Sequence, residues 1–410
     1  MVYAAVMGHG VVGSGVVELM TKNASHIAQK AGEEIKVKYV LDIRDFPELP
    51  YANLFTKSFD DILADDEVSV VAEVIGGINP AYRFVKACLE AGKSVVTSNK
   101  EMVAAKGAEL LAIAEKYNVN FLFEASVGGG IPIIRPLHQC LAANNIDLIA
   151  GILNGTTNYI LTKMIKDGLS FDDALQKARE LGYAEADPTA DIEGHDACRK
   201  ICILASLAFD EHVYPENVMT TGITKITLED IAYAESTNCV IKLIGRTYRT
   251  NGKIFAMVSP AFIEKSSQLA GIDDVFNGVL VRGDATGDVV FYGKGAGKLP
   301  TASAVVGDII DCVKASGTIK SLHWQDKGTD NSADCKAQSV VMYVRCTGKD
   351  AAAKAAECFG DILPLHRKHC PEDEFAFIAP ELTEGAVEEK LAELAQKGIE
   401  VISAIRKLDY

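Results

Sequence analysis

Gly8-His-Gly10-Val-Val-Gly13-Ser-Gly15 follows directly on an apolar, strand-like run at residues 2–7 and leads into the apolar helical pattern Val16-Val-Glu-Leu-Met20. Glycines at this spacing permit a tight strand-to-helix turn, let backbone amides approach a pyrophosphate and let the helix pack closely on its strand. The helix N-terminus adds partial positive charge where the anion would lie. A chain with this turn at its first βα junction is constrained to a sheet whose strands are joined by crossover helices, and a dinucleotide is the ligand to test first.

The first third of the chain keeps that rhythm. Strand-like runs at 2–7, 35–41, 68–75, 93–97 and 119–124 alternate with helical patterns at 14–30, 80–91 and 101–117. Parallel strands need crossovers and helices usually supply them, so the expected class is α/β with a Rossmann-type, doubly wound parallel sheet. After Pro132 the pattern changes: helices at 156–167, 171–181 and 196–209 precede strands at 240–250, 252–259, 279–282 and 288–292, a mixed α+β unit. A helical run at 301–315 follows a glycine cluster, and the polar stretch 325–337 reads as a connection. Beyond it, strands at 339–346, 362–365, 374–379 and 400–406 with helices at 350–358 and 384–397 give β-α-β-β-α-β, the ferredoxin-like split-βαβ order. The expected division is a dinucleotide-binding unit of 1–132 plus 300–320, a second unit of 133–299, a linker of 321–337 and a third unit of 338–410.

Three units suit a length of 410 residues, since a domain averages roughly 150. The 56 acidic against 41 basic residues, a net charge of −15, argue against nucleic acid or an anionic membrane as partner and for a small molecule. No apolar stretch approaches the roughly 18 residues of a membrane span, and no secretory signal pattern opens the chain, so a cytoplasmic protein is expected. The ten cysteines are scattered without a C-x-x-C and read as reduced thiols. His366-x-x-His369 beside Cys370 reads as a solvated loop for want of a converging fourth metal ligand.

Two lysines carry the chemistry. Segment 183–200 places the five carboxylates of Glu185, Asp187, Asp191, Glu193 and Asp196 ahead of Lys200 and then turns apolar. A helix beginning near Gly194 puts Asp196 and Lys200 at i and i+4 on one face. Because Ile201, Ile203, Leu204 and Leu207 continue as core, Lys200 falls where the helix enters the interior, placed to position an amino-acid ammonium group and to exchange a proton with an oxygen. Lys100, in Val95-Val-Thr-Ser-Asn-Lys100, follows a sheet strand, and is either a surface lysine at a helix start or one placed to reach the crevice beyond the strand ends. At the end of the second strand Asp42 and Arg44 offer both signs: an acid would bond a ribose 2′-hydroxyl and an arginine a 2′-phosphate, which leaves NAD and NADP both open. The glycine run after Glu124 is either an interdomain hinge or a source of carbonyl ligands for a hard cation.

Together these segments resemble the homoserine dehydrogenase family. The motifs are the glycine turn, Val74-Ile-Gly76-Gly77, Thr97-Ser98-Asn-Lys100, Glu124-Ala-Ser-Val127-Gly-Gly129-Gly-Ile131-Pro-Ile, Gly151-Ile-Leu-Asn-Gly155-Thr156-Thr-Asn-Tyr-Ile160, Gly182-Tyr183-Ala-Glu185-Ala-Asp-Pro, Asp191-x-x-Gly-x-Asp196-x-x-x-Lys200 and Gly293-x-Gly-Ala-Gly297. The resemblance implies reversible NAD- or NADP-dependent interconversion of L-homoserine and L-aspartate 4-semialdehyde, on the route to threonine, methionine and isoleucine. Lys200 would donate the proton, with Lys100 beside the nicotinamide. Glu185, Asp191 and Asp196 would hold the substrate ammonium and fix Lys200, and Gly155, Thr156 and Tyr183 would line the pocket. Cofactor contacts would come from Gly8, Gly10, Val11, Val12, Gly13, Arg44, Gly76, Gly77, Thr97, Ser98, Lys100 and Gly297. A structural sodium ion would sit at Glu124, Val127, Gly129 and Ile131 through backbone carbonyls. The unit 133–299 would be catalytic and would form a homodimer or homotetramer. The unit 338–410 resembles an ACT domain, but Thr347-Gly-Lys-Asp-Ala-Ala-Ala-Lys354 replaces that family's effector-loop signature, which favours a dimerising or vestigial role over threonine sensing. Two rivals are another semialdehyde oxidoreductase, needing a nucleophilic cysteine such as Cys198, and a non-catalytic metabolite sensor.

Overall fold

The structure, a computed structural model, describes residues 1–318 and 322–410. Residues 319–321, at the boundary expected between the nucleotide unit and the connection, lie outside the described residues.

The chain begins β1 (Val2–Met7), α1 (Val11–Lys22), α2 (Ala24–Ala31), β2 (Ile35–Leu41), β3 (Phe55–Thr56), α3 (Phe59–Leu63), β4 (Val68–Glu73), α4 (Ala81–Glu90), β5 (Ser94–Thr97), α5 (Lys100–Lys116) and β6 (Phe121–Leu122). The six strands form one parallel sheet in the order β3-β2-β1-β4-β5-β6. Strand order reverses between β1 and β4, which opens a crevice beyond their carboxyl ends. Ala4 to Met7 and Val70 to Ala72 are buried, as both-face coverage of a parallel sheet demands. The single helix expected at 14–30 is two: α1 ends at Asn23, whose N–H still reaches the Leu19 carbonyl while its backbone leaves the helical region, and α2 starts anew.

Next come β7 (Ile146–Ile152), α6 (Gly155–Asp167), α7 (Phe171–Glu180), α8 (Thr189–Ile192), α9 (His195–Phe209), β8 (Met219–Thr220), α10 (Leu228–Ser236), β9 (Cys239–Thr250), β10 (Lys253–Glu264), β11 (Phe276–Gly283), β12 (Gly287–Lys294) and α11 (Lys298–Lys314). β7 is central to this part, pairing antiparallel with both β11 and β9. α11 returns to the nucleotide sheet and packs on α1, where a Cβ on Gly15 would lie 2.9 Å from the Lys298 carbonyl oxygen. Two crossings therefore join the units, and they touch: a Cβ on Gly129, whose φ is +56°, would fall 2.3 Å from the Gly295 carbonyl oxygen, so only glycine fits. Glu124 locks the first crossing. Its buried carboxylate accepts from the N–H groups of Ile133 (2.6 Å), Ile134 (2.8 Å) and Arg135 (2.8 Å), while the Glu124 N–H donates to Asp308 of α11 at 2.9 Å. Arg135 in turn pairs with Asp308 and with Asp311.

The last elements are β13 (Ser339–Thr347), α12 (Ala351–Phe359), β14 (Leu363–Leu365), β15 (Glu374–Ile378), β16 (Leu382–Thr383), α13 (Glu384–Gln396) and β17 (Glu400–Leu408). They do not hang on a free tether. β17 runs parallel to β10, pairing Ala261 with Arg406 and Ile263 with Leu408, so both parts share one 11-stranded sheet whose main path is β12-β11-β7-β9-β10-β17-β13-β15-β14, with β8 paired to β10 and β16 to β13 beside that path. The connection is also held down. Trp324 is buried edge-on against Phe123 and donates its indole N–H to His212 Nδ1 at 3.1 Å, and Ala333 N–H reaches the Ile254 carbonyl at 2.8 Å.

Beneath the shared sheet, β13 and α10 meet through buried charge. Arg345 donates to Asp230 (3.0 Å), Glu374 (3.3 Å) and the Thr227 hydroxyl (2.9 Å), and Tyr343 OH donates to Asp230 at 3.0 Å. Asp230 also closes the capping box that starts α10. Removing one partner of a buried pair costs about 3–5 kcal/mol. We expect Asp230→Ala to lower the urea-unfolding free energy by that order; a loss within experimental error would show that this contact does not hold the C-terminal unit in place.

Candidate active site

The glycine turn is shaped as its spacing implies. A Cβ on Gly13 would lie 1.9 Å from the Gly8 carbonyl oxygen, so the helix can approach the strand this closely only with glycine there. Gly10 is the N-cap of α1 and gives it no side-chain cap, which leaves first-turn N–H groups for a ligand, and nothing lies within 4 Å of where its Cβ would be. The donors and space fit a pyrophosphate. Val11 and Ile43 are exposed beside this turn and the end of β2. Gly76 and Gly77 follow β4 in left-handed conformations, and Gly297 is the N-cap of α11, next to α1. Thr97 is buried, with its hydroxyl given to Glu73 at 2.6 Å, so of the Thr97-Ser98 pair only main-chain atoms and Ser98 can serve a cofactor.

At the end of β2 the two charges are not alternatives but one unit. Arg44 donates to both Asp42 oxygens at 3.0 Å, Asp42 also accepts the His9 N–H at 2.8 Å, and the guanidinium lies over Phe46 with its own outer face exposed. The Arg44 guanidinium holds the Asp42 carboxyl well below the usual carboxylate range.

Across the crevice, α5 and α9 bring both lysines to one carboxylate. Asp196 lies 2.6 Å from Lys100 Nζ through Oδ1 and 2.8 Å from Lys200 Nζ through Oδ2. Lys200 also donates to the Leu153 carbonyl at 2.8 Å. Asp196 and Lys200 are buried, 4% and 7% exposed, whereas the Lys100 side chain is 41% exposed. Burial opposes the charge of Asp196, but the two ammonium groups override it and hold the carboxyl well below its usual range. For Lys200 burial prevails: with Asp196 compensating only in part and Lys100 repelling, its pKa falls below that of an ordinary lysine. Lys100 moves the other way, its desolvation outweighed by Asp196 and then Asp191.

Of the five carboxylates ahead of Lys200, two converge. Asp191 joins Asp196 through Asn154, whose Nδ2 donates to Asp191 Oδ1 (2.6 Å) and Asp196 Oδ2 (2.9 Å). Burial, and then the negative charge of Asp196, raise the Asp191 pKa above the usual value. Glu193 instead accepts from Thr224, and Asp187 from Thr189. Glu185 is exposed and is not among the partners of Asp191, Asp196, Lys100 or Lys200. Gly155 begins α6, Thr156 donates to the Tyr183 carbonyl at 2.7 Å, and the Tyr183 ring is exposed, edge-on to Tyr159. Cys198, the rival nucleophile, is buried with its thiol towards the Pro215 carbonyl. Asn154 is the participant that sequence pattern does not single out; its place just before the Gly155-Thr156 pair is the available signal.

The Glu124 carboxylate is spent on main-chain N–H groups, so any cation held there would meet carbonyl oxygens. Among the described residues no group of three or more His, Cys, Asp or Glu side chains could hold a metal ion, and no helix is long and apolar enough to cross a membrane. Among the described residues no disulfide forms, and seven of the ten cysteines are buried.

A dinucleotide crevice bordered by two ammonium groups on a shared carboxylate suits one broad class, nicotinamide-dependent oxidoreductases, in which positive charge must stand where an oxygen gains or loses a proton. Known proteins narrow that class. The family model described as "Homoserine dehydrogenase" matches residues 132–310, and that described as "Homoserine dehydrogenase, NAD binding domain" matches residues 8–124. A homoserine dehydrogenase of Lactococcus lactis is 41% identical over 323 residues, 77% of this chain and 75% of the relative. The crystal structure of one from Thiobacillus denitrificans superposes with a TM-score of 0.91 at 34% identity, covering 100% of this chain and 98% of that one. A hyperthermophilic archaeal homoserine dehydrogenase in complex with NADPH gives 0.65 at 29% identity, covering 76% and 97%. The chain belongs to the homoserine dehydrogenase family. It is an NAD(P)-linked oxidoreductase that interconverts homoserine and aspartate 4-semialdehyde.

Proposed function

We propose that Lys200 moves the proton in this reaction while Lys100 remains an ammonium beside the nicotinamide. The observation that carries this reading is the Asp196 carboxylate shared by both lysines, one from each side of the crevice. Two of the three Lys200 N–H bonds are directed to Asp196 and Leu153, which leaves one for a substrate oxygen. As an ammonium it gives that proton to the oxygen during semialdehyde reduction; as a neutral amine it takes the hydroxyl proton of homoserine. Its lowered pKa makes the exchange easier than for an ordinary lysine. The nicotinamide, when bound, supplies hydride in one direction and accepts it in the other.

With Asp196 engaged by both lysines, Asp191 is the carboxylate for the substrate ammonium, assisted by Glu185 from its exposed loop, with Gly155, Thr156 and Tyr183 along the pocket wall. The pyrophosphate would rest on the turn Gly8, Gly10, Val11, Val12 and Gly13, with Gly76, Gly77, Thr97, Ser98 and Gly297 along the remaining length. We read the preference as NADP: both Asp42 oxygens are taken by Arg44 and the His9 N–H, and although Arg44 spends Nε and Nη2 on Asp42 and the His9 carbonyl, its Nη1 edge, on an exposed side chain, is the part left to meet a 2′-phosphate.

The unit 338–410 is proposed as an ACT-like fold that anchors rather than senses threonine, supported by its β17-β13-β15-β14 strand order and its buried contact with α10. A sodium ion would be held by the carbonyls of Glu124, Val127, Gly129 and Ile131, all on one buried loop. A homodimer or homotetramer would form through 133–299, where Tyr292 is exposed on the sheet-edge strand β12. Threonine titration of activity, replacement of sodium by choline read as melting temperature, and sedimentation velocity check these in turn: inhibition, an unchanged melting temperature or a monomer would overturn each.

Lys200→Ala is expected to lower turnover by roughly 10²–10⁴-fold while cofactor affinity is retained; near-normal turnover in the folded variant would remove Lys200 from the mechanism. In the parent enzyme homoserine oxidation should rise with pH as Lys200 loses its proton, and semialdehyde reduction should fall through the same midpoint, below that of an ordinary lysine. Arg44→Ala should weaken NADP binding by about tenfold or more and leave NAD little changed. Equal weakening of both cofactors would assign Arg44 no part in discrimination.

A further inference from the structure

Two carboxylates meet at the nitrogen end of one amide. Asn154 ends the connection from β7 and is the N-cap of α6, its Oδ1 accepting from the Thr157 N–H at 2.8 Å and the Thr157 hydroxyl at 2.9 Å. Those two donors fix which way the amide faces: turned over, its NH2 would meet an N–H and its oxygen would meet two carboxylates. The observed orientation directs both N–H bonds of Nδ2 to carboxylates, one to Asp191 and one to Asp196. Both Nδ2 donors and the oxygen are engaged, the single Thr157 hydroxyl proton lying between Asn154 Oδ1 and the Asn154 carbonyl at 3.1 Å, and the group is 5% exposed. The preceding residue, Leu153, gives its carbonyl to Lys200.

We propose that Asn154 is a positioning residue for the reaction: it acts through Asp191 and Asp196, holding the first open to the substrate ammonium and the second on the two lysines. This rests on the roles given above to Asp191 and Lys200. A neutral double donor is what the location requires. An acid there would add a third negative charge, and a lysine or arginine would compete with the substrate ammonium for Asp191. The charged groups facing the cluster are Lys100 from α5, Asp191 from α8, and Asp196 and Lys200 from α9, with Arg199 behind Lys100 and paired to Glu101 at 3.4 Å. Asn154 is the neutral donor that bridges the two acids. Loss of its donors would leave Asp191 easier to protonate, and Asp196 a stronger partner for Lys200.

Asn154→Ser and Asn154→Asp both keep an oxygen that can cap α6. For each, the melting temperature and NADP affinity report the fold apart from the carboxylates. Asn154→Ser is expected to raise KM for homoserine by about tenfold, as loss of a hydrogen bond to a charged group does. That KM should climb further as pH is lowered, and the oxidation profile should move to higher pH because Lys200 holds its proton more tightly. Asn154→Asp should raise KM at least as much at neutral pH. Asp191→Asn, measured beside them, separates the two ways of failing. A raised KM in Asp191→Asn with an unchanged KM and pH profile in folded Asn154→Ser overturns the role of Asn154 alone. An unchanged KM in Asp191→Asn overturns the ammonium assignment on which it rests. A uniform fall in kcat with melting temperature, without movement of the pH profile, or failure of both Asn154 variants to fold, would make Asn154 a holder of the fold and overturn the proposal.

Discussion

Burying a carboxylate is costly unless its charge is met, and Asp196 is met from two directions at once. Lys200 arises from its own helix, one turn on; Lys100 comes from the first turn of α5, in the nucleotide-binding part. The 2.6 Å contact from Lys100 therefore crosses the crevice, and the site's electrostatics depend on the two parts being held together. Were they to separate, Asp196 would lose one counter-charge and Lys100 would return to water. The same cluster sets unlike properties for chemically identical side chains. Burial wins at Lys200 and depresses its pKa, while negative charge wins at the more exposed Lys100 and raises it. Two lysines thereby acquire opposite protonation tendencies without any difference in residue type, which is what the proposed proton carrier and fixed positive charge require.

Holding the two parts together falls to the crossings. Glu124 caps the turn at Ile133–Arg135 with its carboxylate and reaches Asp308 with its N–H, and Arg135 closes the circuit to Asp308 and Asp311. Asp308 is fully enclosed, and burial, countered by Arg135 and reinforced by Glu124, pushes its pKa up to about 7. The glycine run after Glu124 presses against Gly295 on the return crossing. Each crossing is thus the packing surface of the other, and hinge motion must move both. A motif that suggested loose backbone is among the tighter contacts of the molecule.

Local pattern made much of this legible. The glycine turn, the alternation of five of the first six strands with helices, and the i, i+4 pair of Asp196 and Lys200 depend on neighbours in sequence, where spacing maps onto geometry. β3, β7 and α10 escaped notice: β3 is two residues long, β7 begins Ile-Asp-Leu before its apolar run, and α10 shows its start mainly through the Thr227–Asp230 capping box. Asn154 escaped because an asparagine ahead of a helix already has an ordinary explanation as a cap; its second task lies on its other face and involves residues 37 and 42 positions away. The Glu124 carboxylate is the converse case, an acid in a loop whose oxygens turn out to serve main-chain N–H groups rather than a ligand.

The pairing of β17 with β10 has the longest reach. It joins Ala261 to Arg406, and no periodicity within either segment announces it. Its consequence is mechanical. β10 pairs along its whole length with β9, β9 with β7, and β7 ends at Ile152, immediately before the Leu153 carbonyl and Asn154 that grip Lys200 and the two acids. The C-terminal unit is therefore continuous, strand by strand, with the floor of the site. A change of shape there must bend the sheet or break the buried contact of Arg345 with Asp230. Such a connection favours rigidity: hydrogen-bonded strands and a buried ion pair resist displacement, whereas a flexible tether would leave Leu153 and Asn154 indifferent to what the third unit does.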